Sequence, residues 1–404
     1  MYYRQPRYFS DFKCIGSDCT VNCCFGWNIE WSKEEIDKVK NDPNCSAELK
    51  NIMETGFISE DGEKHFSVKL LEDGNCPCQT EDGLCMIQKE LGAEYLSRTC
   101  TIYPRYDTFI APHKVIYRGC CLSCKEIVKK LINDEKAAEF VNVPVKDDPS
   151  KMILLHSNTP EDISAHPELK YRSDILEFFY ELIGDKKCSV ETNITVGALI
   201  AYKLTDLIGN KEYDRIPEAL NSFRKQVHYA AGLKNIDSME PNYDLKLGVV
   251  DKINERGLSF NLINILKNKD GLYVVDLYRD GEAKLNEMMK DKPFWLRNIA
   301  LNMIQELGIP FHSKDHSIFE NYRFFAAAFT CMKINAIAAA VTPEETEFRT
   351  KKMTLHLNGI DKIYGLTGLI SRRLFQNSKS FEGTNNVLNE FEINSPVHLA
   401  MLVK

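Results

Sequence analysis

The chain has 404 residues, 44% of them hydrophobic and 27% charged, with a formal net charge of −7. That is the composition of a soluble globular protein with room for two or three domains, and its acidic balance argues against general nucleic-acid binding through phosphate neutralisation. The opening Met1-Tyr-Tyr-Arg-Gln-Pro-Arg-Tyr lacks the apolar core of a secretory signal, and the most apolar stretch, Phe324 to Val341, carries Lys333 and Asn335 near its centre, which suits a buried helix better than a membrane span.

The first zone, residues 1–130, is rich in Cys, Gly and turn signals. Twelve of the fourteen cysteines fall within the first 124 residues, densest in Cys14-Ile-Gly-Ser-Asp-Cys19-Thr-Val-Asn-Cys23-Cys24. Ser32-Lys-Glu-Glu35 is a capping box that opens a helix running to about Asn41. Phe57 to Leu71, with Asp61-Gly62 between short alternating runs, predicts a small hairpin. Leu84, Ile87, Leu91 and Tyr95 recur at helical spacing, and Lys125 to Phe140 reads as a further helix.

A polar connection over 131–158 follows, and then helical patterns take over. They predict helices at Tyr171–Ile183, Thr195–Ile208, Ile216–Ala231, Phe294–Leu307, Glu320–Val341, Pro343–Leu357 and Asp361–Gln376, punctuated by Pro310, Pro343 and Pro396. No series of strands alternates with helices. No Gly-rich turn stands between a strand and a helix, which argues against a doubly wound nucleotide-binding sheet. The expected fold is therefore mainly α: a small Cys-rich metal- or cluster-binding domain over 1–130, then an irregular all-α domain over 131–404 that builds the substrate groove.

The chemistry lies in the thiols. A cytoplasmic chain keeps its cysteines reduced, so a cluster of them points to metal ligation rather than disulfides. Thiolates ligate both zinc and iron–sulfur clusters, and Gly16 and Gly26 permit the sharp turns that bring ligands to one centre. The spacings fit neither a ribbon of two C-x-x-C knuckles nor the three-Cys loop of most radical enzymes. A structural zinc site stapling a small domain is the plainer alternative.

Several segments together resemble the flagellin lysine-N-methylase family. They are Cys14-Ile-Gly-Ser-Asp-Cys19-x3-Cys23-Cys24-x-Gly26-Trp27, Cys76-Pro, Asp82-Gly-Leu-Cys85-x-Ile87-Gln88-x-Glu90-Leu91-Gly92, Leu96-Ser-x-Thr-Cys100-x-x-Tyr103-Pro104-Arg105 and Leu122-Ser-Cys124. A fainter echo sits at Phe319-Glu320-Asn321-Tyr322. The resemblance implies methylation of flagellin lysines from S-adenosylmethionine, with a 4Fe-4S cluster or, alternatively, Zn2+. It implies a ligand pool of Cys14, Cys19, Cys23, Cys24, Cys76, Cys85, Cys100 and Cys124. Cys45, Cys78, Cys120 and Cys121 fall outside the pattern, and Cys188 and Cys331 read as core residues.

Methyl transfer from a sulfonium to a lysine amine needs the amine deprotonated and aligned. Weaker candidates for that work are Tyr103, to orient the lysine, and Glu320 and Tyr322, if they face a cleft. Arg105 would pair with the donor carboxylate, and Trp27 would stack on the donor. Pro104 shaping a turn and Glu320 serving the helix dipole explain the same residues structurally. Of the nine histidines only His312 and His316 have H-x-x-x-H spacing, and neither is assigned as a ligand. The expectation is a cytoplasmic monomer with flagellin as partner, no nucleic acid and no membrane; the rival is a metal- or cluster-carrying module without methyltransferase activity.

Overall fold

The fold comes from a computed structural model, which describes all residues except 1, 22, 27–28, 60–64, 111–114, 146–154, 156, 227–235, 237–238, 260–261, 344 and 350–353. The N-terminal part contains strand β1 (Tyr2–Pro6), helix α1 (Tyr8–Asp11), β2 (Glu30–Ser32), α2 (Lys33–Lys40), α3 (Ala47–Thr55), β3 (Phe57–Ser59), β4 (His65–Val68), α4 (Met86–Glu90) and α5 (Arg98–Ile102). Next come β5 (Arg105–Ile110), β6 (Val115–Cys120), α6 (Lys125–Asn133) and β7 (Phe140–Pro144). The remainder is helical: α7 (Pro160–Ala165), α8 (Arg172–Gly184), α9 (Val190–Gly209), α10 (Ile216–Gln226), α11 (Tyr243–Glu255), α12 (Val275–Met288), α13 (Trp295–Glu306) and α14 (Ile318–Ala340). A hairpin of β8 (Glu345–Arg349) and β9 (Thr354–Asn358) then precedes α15 (Asp361–Phe375), α16 (Ser380–Glu390) and α17 (Pro396–Val403).

The chain is mainly α-helical, and its helices form where the caps and stripes dictate. Ser32 and Glu35 make the reciprocal capping box at the start of α2, and Ser317 and Glu320 make another at α14. α14 is apolar on every side, as a helix must be to sit inside others. By length and composition it would cross a membrane, yet 89% of its most apolar window is buried in the protein. Helices α9, α11, α12, α15, α16 and α17 pack around it. The closest approach is at Gly197 of α9, where a Cβ would overlap the Tyr322 hydroxyl. That hydroxyl donates to the Ile194 carbonyl at 2.9 Å.

Four strands form a sheet in the order β5-β6-β1-β7. β1 runs parallel to β6, with Tyr3 opposite Ile116, and antiparallel to β7. β5 and β6 are antiparallel, pairing Arg105 with Cys120. The period of two puts Val115 and Tyr117 into the main core and Ile116 onto the other face beside Tyr3. Residues of 2–12 and 105–144 thus share the large core with the helices. Between them a smaller core gathers Ile29, Trp31, Ile36, Val39, Leu49, Met53, Val68 and Ile87 with Cys45, Cys76 and Cys78.

The structure differs from the sequence reading in four places. The helix expected over Pro343–Leu357 is the β8–β9 hairpin, with Phe348 opposite Leu355. The alternation Thr346, Phe348 and Leu355, Leu357 has the period of a strand and outweighs the glutamates. The helix expected over Leu84–Leu96 is five residues of α4, stopped at Gly92, whose φ is +103°. The helix from Lys125 ends at Asn133, and Phe140-Val-Asn-Val joins the sheet instead. The sheet itself was not foreseen. The expected hairpin after Phe57 is present as β3 and β4, with Asp61-Gly62 outside the described residues.

Candidate functional site

Two adjacent cavities share a wall made by Tyr103, Pro104 and Arg105. The first, of about 330 Å3, is lined by seven cysteines, namely Cys14, Cys19, Cys23, Cys24, Cys85, Cys100 and Cys124. Local structure explains their convergence. Gly16, at φ +57°, turns the chain so that the Cys19 amide bonds the Gly16 carbonyl at 3.1 Å. Cys85 and Cys124 are the residues from which α4 and α6 start. Cys100 sits on α5, whose first turn is capped by Ser97 at 3.1 Å. Glu35 ties α5 to α2 by accepting from the Arg98 amide at 2.7 Å.

Cys76 is buried in the smaller core and is not part of the cavity lining. Its amide donates to the Cys24 carbonyl at 2.8 Å, and its sulfur accepts a hydrogen bond from the Cys78 thiol. All fourteen cysteines are free thiols. Among the described residues, no three His, Cys, Asp or Glu side chains stand together at metal-binding spacing. Trp27 lies outside the described residues.

Charge around the thiols is sparse. A hydrogen bond from the Cys24 thiol, with help from the Arg372 guanidinium, lowers the pKa of Cys23 against the effect of burial. Burial pushes Cys100 and Cys124 up to about 12. Arg372 reaches in from α15 and donates to the Phe25 carbonyl at 2.8 Å and the Ser123 carbonyl at 3.3 Å. Lys125 pairs with Asp361 at 2.6 Å and donates to the Thr20 hydroxyl at 2.5 Å. Both cations pin the thiol segment to the helical part of the chain.

The second cavity, of about 490 Å3, is lined by Glu306, Cys121, Tyr106, Gln376, His312 and Glu30 among others. Glu306 ends α13 and is 4% exposed. Its carboxylate accepts from the Leu122 amide at 2.8 Å and from the Cys121 thiol. Burial nevertheless pushes its pKa up to about 8. Gln376 spends its amide N–H on Ser123 Oγ at 2.7 Å, and its buried Oε1 has no hydrogen-bond partner. The Tyr106 hydroxyl is likewise buried and unpartnered; it lies over Gly119, where a Cβ would overlap it. Burial lowers the pKa of His312, whose Nδ1 lies 3.0 Å from the Leu307 carbonyl.

Of the weaker candidates, Tyr103 and Arg105 line both cavities. Tyr103 is hydrogen-bonded to Ser123 at 3.0 Å, and burial raises its pKa well above the usual tyrosine value. Arg105 lies over the Phe12 ring at 4.8 Å. Glu320 and Tyr322 line neither cavity. Glu320 bonds Ser317 within the α14 cap, and Tyr322 is fully buried in the main core.

A family model described as the FliB lysine N-methylase C-terminal domain matches residues 176–402. The lysine-N-methylases of Salmonella typhimurium and Salmonella choleraesuis are each 32% identical to the chain, over 340 and 338 residues, with 76% of this chain and 78% of each relative covered. The chain belongs to the FliB lysine N-methylase family. A Salmonella muenchen protein named flagellar biosynthetic protein FliU is 33% identical over 137 residues, covering 33% of this chain and 78% of that protein. No solved structure matches the chain.

The stretch carrying the FliB match supplies Glu306, His312, Arg372 and Gln376, while the thiols lie before it. Sequence reasoning had left all four of those residues unassigned. One signal for Glu306 was present: Asn298, Asn302 and Glu306 recur every fourth residue on one face of the helix, a polar stripe that must find partners when buried.

Proposed function

We propose that this member of the FliB family is a protein-lysine N-methyltransferase that moves a methyl group from S-adenosylmethionine to lysines of a flagellin. The observation that carries the reading is the pair of cavities on either side of Tyr103-Pro104-Arg105, one lined by thiols and the other by a buried carboxyl. The names of relatives, lysine-N-methylase and a flagellar biosynthetic protein, support lysine and a flagellar protein as the acceptor. A protein of this size with no Gly-rich strand-to-helix turn needs another way to hold the donor.

The donor set of the first cavity suits a soft metal centre, since seven thiols face one space and none is spent in a disulfide. A 4Fe-4S cluster or zinc would draw its three or four thiolate ligands from the pool of Cys14, Cys19, Cys23, Cys24, Cys85, Cys100 and Cys124 on the cavity lining and the neighbouring Cys76. When bound, a cluster iron with an open position can take the amino and carboxylate groups of the donor, whereas zinc would staple the fold. Arg105 offers a guanidinium to the donor carboxylate from the shared wall. Phe12, Ile15 and Leu84 line the same cavity and keep water from the sulfonium.

Anaerobic purification, reconstitution with iron and sulfide, and incubation with methyl-labelled S-adenosylmethionine and flagellin test this. Label on flagellin lysines, with a change in the cluster spectrum when donor is added, is the expected result. Reconstituted protein that carries metal but labels no lysine would instead identify a metal-carrying module.

A further inference from the structure

The second cavity has no assigned task, and it holds what a lysine ammonium needs. We infer that this cavity receives the side chain to be methylated, and that the Glu306 carboxylate takes the proton from its ammonium. The inference rests on the methyltransferase reading above and deepens it by naming the acceptor site.

Three observations point the same way. The cavity adjoins the thiol pocket through Tyr103-Pro104-Arg105 alone, so an amine in one is placed beside a donor in the other. Its lining contains two buried polar atoms without partners, Gln376 Oε1 and the Tyr106 hydroxyl. An unpaired buried acceptor is costly unless a ligand completes it, and an ammonium or amine N–H is the complement of Gln376 Oε1. Glu30, exposed on the lining, adds a carboxylate that favours entry of a cation. The buried Glu306 then stands where the charge must be given up.

The groups facing Glu306 leave it as the proton acceptor. Burial raises the pKa of Tyr8 on α1, Tyr106 on β5, Cys120 at the end of β6 and Cys121 after it, which keeps all four neutral. His312, with its pKa lowered by burial, stays uncharged at neutral pH. Arg105 is the cation on the lining, and its guanidinium is turned to the Phe12 carbonyl at 3.4 Å. Asn302, one helical turn back on α13, and the Leu122 amide hold the carboxylate in place.

The step balances. An ammonium N–H bond breaks and an O–H bond forms on Glu306. The freed lone pair attacks the donor methyl carbon; the N–C bond forms as the C–S bond breaks, and its electron pair stays on sulfur as the neutral thioether. The product is a methylated ammonium, and the Glu306 proton leaves to water before the next turnover.

The test uses the full chain without donor and a lysine-containing flagellin peptide, titrated calorimetrically at pH 7 in buffers of different ionisation enthalpy. With the Glu306 carboxyl at about 8 in the empty cavity, binding of the ammonium should release about 0.9 proton per peptide. E306Q should release none, and E306D should restore release. In methyl transfer, E306Q should lower kcat by about 10²-fold or more at pH 7 with donor affinity unchanged. A less basic acceptor, a thialysine peptide, should narrow that deficit. Equal proton release by wild type and E306Q, or none by wild type, overturns the inference even if wild type methylates flagellin. Failure of wild type to label any lysine overturns the reading on which it rests.

Discussion

Removal of the Asn302 side chain probes the join between α13 and the sheet. The Cys120 amide donates to the Tyr8 hydroxyl at 3.1 Å, that hydroxyl donates to Asn302 Oδ1, and Asn302 Nδ2 donates back to the Cys120 carbonyl at 3.1 Å. All three residues are buried. Asn302→Ala removes the acceptor of the Tyr8 O–H and the donor to the Cys120 carbonyl, leaving each of these two groups unsatisfied away from water at about 1–3 kcal/mol. With the space left behind, the expected loss is about 3–5 kcal/mol. Urea unfolding at matched m-value measures it. Asn142→Ala, on an exposed hydrogen bond to Arg4, is the control and should stay within about 0.5 kcal/mol. Tyr8→Phe breaks the same ring from the other side. In the double mutant the two losses should overlap by about 1–2 kcal/mol. If Asn302→Ala costs less than about 1 kcal/mol, or the two losses simply add, the ring does not hold the sheet to the helix.

Gly119→Ala places a Cβ on the Tyr106 hydroxyl and against Gln305; it should cost about 1–3 kcal/mol and weaken lysine-peptide binding, while metal content after reconstitution stays at the wild-type level. Ser317→Ala should cost about 1 kcal/mol through loss of the α14 cap, and Glu320→Gln should leave methyl transfer unchanged; a kcat loss above tenfold in Glu320→Gln would restore Glu320 as a catalytic residue. For Glu306, the folded pKa of about 8 lies above the ordinary glutamate value of 4.5, so the native state holds the extra proton between these values and stability falls as pH rises through that window. The slope is about 1.4 kcal/mol per pH unit at its steepest, and E306Q should abolish it in urea titrations from pH 5 to 8.

The parts legible in the sequence were those set by local rules. The capping box at Ser32, the helical stripes of α8, α9, α13, α14 and α15, and the buried nature of α14 all follow from periodicity and cap chemistry. The sheet was not legible, because β1 begins the chain while its partners β6 and β7 lie more than a hundred residues on, and no local pattern encodes such pairing. The thiols announced a site by composition alone. Their neighbours across the fold did not: Arg372 meets Phe25 and Ser123 only through tertiary packing. Cys121 shows the limit most sharply, since it adjoins the thiol pattern in sequence yet lines the carboxyl cavity.

The segment from Cys120 to Lys125 is where the two parts of the chain become one machine. From the FliB-matched helices, Asn302 and Glu306 bond its backbone at Cys120 and Leu122, Arg372 and Gln376 bond it at Ser123, and Asp361 pairs with Lys125. Cys124 faces the thiol pocket and Cys121 the carboxyl cavity. The sequence suggested a substrate groove for the helical region; its polar residues also have a structural task. They set the position of a strip whose two faces border the two cavities. A displacement of α13 or α15 is expected to move both cavity linings together, because hydrogen bonds from both helices fix the strip. If the two cavities hold donor and acceptor as proposed, those bonds keep them in register for a displacement whose rate depends on holding three atoms in line.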